Sequence, residues 1–124
     1  MIRIYYLLIL ICFISCSVEN EEDYFALNCV TEDIYYISAD PSRSVSNIIS
    51  NKCLNCHATD NIEISGSWLP LETHEQLITI DFDEYVLKPN ASMPPAGSPQ
   101  LTDCEITQIS IWVNNNFPYD EGGR

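Results

Sequence analysis

Cys53-Leu54-Asn55-Cys56-His57 spells C-x-x-C-H, the spacing used for covalent attachment of haem. Two thiols one helical turn apart can add to the two vinyl groups along one edge of a porphyrin. The imidazole that follows is then set under the iron as its proximal ligand. The same residues also allow a structural zinc site or a Cys53–Cys56 redox disulfide. Zinc takes four ligands, and beyond these three the chain has only His74 and no second C-x-x-C pair. A thioredoxin-like site wants a βαβ setting, which the flanking sequence does not supply. The motif therefore predicts one covalent haem c, attached at Cys53 and Cys56 and ligated by His57.

A sixth iron ligand is available in Ser92-Met93-Pro94-Pro95. It sits in a Pro- and Gly-rich stretch, residues 89–99, that cannot be regular helix or sheet. Met93 is the only methionine besides Met1. A thioether opposite histidine favours the reduced iron and raises its potential. The competing readings are a methionine packed on the haem edge without bonding, and His74 as ligand.

The elements that must hold these residues are legible as helices. Asp40-Pro41-Ser42 reads as a turn, after which Val45, Ile48, Ile49 and Cys53 recur at three- and four-residue steps. That pattern predicts an amphipathic helix delivering the motif at its end. Thr73-His74-Glu75-Gln76 has the spacing of a capping box before Leu77, Ile78 and Ile80, predicting a short middle helix with a further turn over residues 83–87. His74 would lie in its first turn, exposed. Thr102-Asp103-Cys104-Glu105 repeats the capping spacing, and Ile106, Ile109, Trp112 and Val113 form an apolar stripe that Phe117-Pro118 ends. Ile34-Tyr35-Tyr36-Ile37 is β-prone and predicts an edge strand or a packed arm.

The amino terminus is organised for export. Arg3 precedes a nearly pure apolar run, residues 4–14, which suits a signal-peptide core but is short of the ~20 residues a membrane span needs. Phe13-Ile14-Ser15-Cys16 then resembles the lipobox of bacterial lipoproteins, which implies cleavage at Cys16 and lipid on its sulfur. Ordinary signal cleavage near Ser15 is the alternative. With Cys12 lost in the leader, Cys16 on lipid, and Cys53 and Cys56 on haem, Cys29 and Cys104 remain. In an exported chain they are expected to form a disulfide, two separately buried thiols being the other possibility.

Charge narrows the partners. Eighteen acidic side chains face five basic ones, and loss of Arg3 leaves Arg43, Lys52, Lys88 and Arg124. Nucleic acid and anionic headgroups are poor partners for such a surface, and a basic docking partner, or none, is the better expectation. Glu19, Glu21, Glu22 and Asp23 make residues 16–40 begin as an acidic tether. Acidic residues just after a lipobox also resemble the signal by which some Gram-negative lineages display lipoproteins on the outer membrane.

Taken in order, the parts are an amphipathic helix, C-x-x-C-H, a loop, a middle helix, a Met-Pro-Pro loop and a closing helix. This order is similar to class I c-type cytochromes over residues 41–118, with residues 119–124 a tail. The match looks closest to small lipid-anchored bacterial cytochromes whose last helix opens as Leu101-Thr102-Asp103-Cys104-Glu105-Ile106 does. The resemblance implies an all-α fold of about three to four short helices around one haem, with an irregular N-terminal arm. It implies His57 and Met93 as axial ligands and a backbone carbonyl, here that of Pro70, accepting the other imidazole N–H. Trp68 would pack over the porphyrin or donate to a propionate, or else pack in the core. The implied activity is single-electron transfer between redox proteins in the periplasm or at the cell surface, with no substrate transformed. Ligand sensing, peroxide chemistry or an accessory role in a larger complex are the alternatives. A core this small would draw much of its apolar contact from haem, so the haem-free chain is expected to fold poorly.

Overall fold

The computed structural model describes residues 28–122, so the leader, Cys12, Cys16 and the acidic tether lie outside the described residues. Among the described residues the protein is all-α, with no β-strand and one isolated parallel bridge between Tyr35 and Ser44. A 3-10 turn, Pro41–Arg43, leads into α1, Val45–Lys52. Then follow α2, Leu54–His57; α3, Ile62–Ser65; α4, His74–Leu77; a π-helical turn, Asp83–Leu87; and α5, Asp103–Asn114. No helix among these residues is long and apolar enough to cross a membrane.

The core gathers Ile34, Val45, Ile48, Ile49, Leu77, Phe82, Ile109 and Trp112. Its α1 members are the three- and four-step positions of the sequence pattern, and α1 packs on α5. The start of α1 is unusual, because Ser44 makes no side-chain cap. The orphan donors of the first turn are met by the arm instead. Val45 N–H donates to the Tyr35 carbonyl and Ser46 N–H to the Tyr36 carbonyl, both at 2.9 Å. The β-prone arm is thus packed rather than paired as a strand, and it buries Ile34. Its other edge meets the chain end, where Tyr36 N–H and Ile37 N–H donate to the carbonyls of Pro118 and Tyr119.

Both capping boxes form, Thr73 with Gln76 on α4 and Thr102 with Glu105 on α5. The middle helix is one turn long and tightens after Leu77 into shorter turns, Thr79 N–H donating to the Gln76 carbonyl and Ile80 N–H to the Leu77 carbonyl. Helix α5 closes through Asn116 and Phe117, both left-handed, which drop the Phe117 ring edge-on to Trp112 at a centroid distance of 5.0 Å. Trp112 is fully buried, and its indole N–H donates to the Pro118 carbonyl at 3.1 Å. A disulfide joins Cys29 to Cys104, with Cα atoms 5.6 Å apart. Nearby, Gln108 donates from buried Nε2 to the carbonyls of Val30 and Ser42 at 2.8 Å each, locking arm and 3-10 turn onto α5.

Candidate haem-attachment site

The motif residues sit where α1 gives way to α2. Cys53 caps α1, donating its N–H to the Ile49 carbonyl at 2.9 Å, and its own carbonyl accepts from Cys56 N–H at 3.1 Å and His57 N–H at 3.0 Å. The helix is therefore continued through the motif, and the two thiols lie one turn apart. Both are free. Burial, and after it the charge of Glu105, pushes the Cys53 thiol up to about 11. Glu105 is held there by Lys52 at 3.4 Å, while Lys52 also donates to the Gln100 carbonyl at 2.8 Å. The end of α1 is thereby pinned to the start of α5.

His57 is oriented by the loop that follows it. Its Nδ1 lies 2.7 Å from the Leu69 carbonyl oxygen and 2.8 Å from Ser67 Oγ. A carbonyl can only accept, so Nδ1 carries the proton and donates it to Leu69, and Ser67 Oγ shares that proton. The lone pair is consequently on Nε2, the nitrogen a metal needs. The carbonyl is Leu69's, not that of Pro70 as the family resemblance implied. The reason is tertiary: Leu71 N–H returns to the His57 carbonyl at 3.0 Å, and this fixes which peptide faces the ring. Two further contacts fasten the loop, Ser65 Oγ to the Cys56 carbonyl at 2.8 Å and Asn61 Nδ2 to the Leu54 carbonyl at 3.3 Å. Gly66, at φ +72°, follows both residues and ends α3 in the left-handed conformation.

Met93 stands on the loop that follows the π-helical turn. Its N–H donates to the Tyr85 carbonyl at 3.0 Å, which ties the Met-Pro-Pro segment to the π-helical turn and leaves the side chain 39% exposed. Trp68 is 82% exposed, so core packing is not its role. His74 is not the exposed side chain its helix position suggests. Nε2 lies 2.8 Å from the Phe117 carbonyl, and the ring packs against Tyr36 and Tyr119 at 5.2 Å each and Trp112 at 6.0 Å. With Nε2 donating to that carbonyl, His74 works as a strut between α4 and the chain end. Among the described residues no three His, Cys, Asp or Glu side chains converge as a metal-ion site.

Two free thiols one turn apart, next to an imidazole whose Nε2 bears the lone pair, are a donor set that could hold a c-type haem. Ser65, Ser67, Leu69 and the Lys52–Glu105 pair support that set without having been foreseen. Nothing in their local sequence marks them, since each acts through a partner brought near by folding. Comparison with protein-family models, with curated proteins and with solved structures finds no match.

Proposed function

We propose that this protein is a lipid-anchored monohaem c-type cytochrome of class I, carrying single electrons between redox proteins. The observation that carries the reading is the Nδ1–H of His57 donated to the Leu69 carbonyl beside two helical thiols. Haem, when bound, supplies an iron that gains and loses one electron. The chain's own part is to hold and orient it. Cys53 and Cys56 provide the thioether sulfurs. His57 is fixed in one tautomer, so its Nε2 is always ready to bind. The Leu69 carbonyl, by drawing on the Nδ1 proton, makes Nε2 a stronger donor. Met93 is offered from a loop whose backbone is fastened to the π-helical turn, and two prolines after it limit the entropy that sulfur binding would cost. The one histidine of the chain besides His57, His74, is committed to the Phe117 carbonyl, which favours a carrier over a peroxide-handling enzyme with a distal imidazole.

The lipobox-like Phe13-Ile14-Ser15-Cys16 and the acidic residues after it support an exported lipoprotein of a Gram-negative bacterium, held at the outer membrane on its periplasmic or cell-surface side. Acidic composition supports partners with basic docking faces.

Expression with a cytochrome c maturation system tests the reading. Haem should stay with the denatured protein after acid–acetone extraction, and should not with Cys53→Ser and Cys56→Ser together. Loss of haem from the unmutated chain overturns it.

A further inference from the structure

Residues 58–70 leave the motif and return to it, closed by Leu71 N–H on the His57 carbonyl and by the Thr59 hydroxyl on the Glu72 carboxylate. This is a compact Ω-loop, of a kind that often carries function. Its inner side is committed: Asn61, Ser65, Ser67 and Leu69 all bond the motif. Its outer side bears two large apolar groups that touch little of the chain, Ile64 at 88% and Trp68 at 82% exposed.

Haem is the first candidate to cover them, and the geometry argues against it. The loop approaches Nδ1 of His57, the ring nitrogen remote from the one that binds iron. Ser67 Oγ and the Leu69 carbonyl, on either side of Trp68, both contact that nitrogen, so the segment that carries the indole runs along the Nδ1 side of the ring. A second copy of the chain is disfavoured by charge. The full sequence carries −13, and residues 53–87 hold seven Asp and Glu side chains with no Lys or Arg. Asp60, Glu63 and Glu72, all exposed, flank the apolar pair.

We infer that the outer face of this loop is a docking surface for a protein partner with a Lys/Arg-rich face, Trp68 and Ile64 making the apolar contact and Asp60, Glu63 and Glu72 the charged rim. An exposed indole within an acidic rim fits such a face twice, through the charges and through cation–π contact with an arginine or lysine. A partner seated there meets the loop whose Ser67 and Leu69 hold His57. Calling that partner a redox protein rests on the function proposed above; the docking itself does not.

The test is binding of the full mature chain to an immobilised lysine-rich cytochrome, against an acidic protein of similar size, at rising salt. Haem content is read separately on the same preparation. Binding should appear only with the basic probe and weaken as salt rises. Ile64→Ser with Trp68→Ser should weaken it about tenfold or more, with the far-ultraviolet dichroism and any haem spectrum unchanged. Asp60→Asn with Glu63→Gln should weaken it and flatten its salt dependence, while Glu32→Gln with Asp103→Asn, which remove equal charge elsewhere, should do much less. Equal losses from both charge pairs, no effect of the apolar pair, a shifted haem spectrum in Trp68→Ser, or self-association relieved by that substitution would each overturn the proposal.

Discussion

Because the Leu69 carbonyl can only accept, the Nδ1 proton of His57 is committed to it, and the imidazole is fixed by direct contact. The loop of Met93 fixes only the backbone of that residue, through the N–H donated to Tyr85. If Met93 bonds iron, the ferrous protein should resist carbon monoxide, and Met93→Ala should admit it and lower the potential. Ready binding of carbon monoxide by the unmutated protein would turn the reading toward a sensor. Cys53 gives a second residue-scale prediction. Burial pushes its thiol above the ordinary 9.0 to about 11, so in the haem-free chain the folded state holds the proton more tightly than the unfolded one. That contribution to stability is intact below pH 9 and is lost as pH rises from there toward 11. Alkylation of haem-free Cys56→Ser protein, followed against pH, should show its midpoint near 11; a midpoint at the ordinary thiol value refutes the burial account.

Among the elements, the helix starts are where sequence and structure agree most closely. The boxes Thr73 to Gln76 and Thr102 to Glu105 form as their spacing predicts, because a capping box is satisfied within four residues and needs nothing distant. The start of α1 could not be read in that way. Its donors are met by carbonyls of Tyr35 and Tyr36, and only the folded arm supplies them. His74 was misplaced for the same reason, its surroundings coming from Tyr36 and Tyr119, far away on both sides in the chain. The register of the Ω-loop, Leu69 for Pro70, differs by one peptide, a distance that pattern alone does not resolve. The Cys29–Cys104 link was reached by elimination and is present. With its ends 75 positions apart in the sequence, its reduction should cost about 2–5 kcal/mol. Urea melts with and without reductant check this, and coincident curves would rule it out.

At the scale of the whole molecule, apolar packing is uneven among the described residues. Trp112 with Phe82, Phe117, His74 and Tyr36 forms a closed aromatic cluster, whereas Ile64, Trp68, Tyr85 and Met93 keep large apolar surface exposed. Haem loading should therefore raise the melting temperature, with near-ultraviolet signals from the Trp112 cluster present even in haem-free protein. A haem-free melt equal to the loaded one would separate folding from the cofactor.

The position of Cys29 has a mechanical consequence. If the chain is anchored ahead of Cys29 as proposed, a load from that side would otherwise run along the arm and peel Tyr35 and Tyr36 from the first turn of α1, disturbing the helix that presents the motif. The covalent link lies ahead of that arm and joins α5 directly. Tension entering there would be diverted into the closing helix before it reached the arm's bonds to the motif helix, so under that proposal the link would serve as a strain relief between anchor and motif.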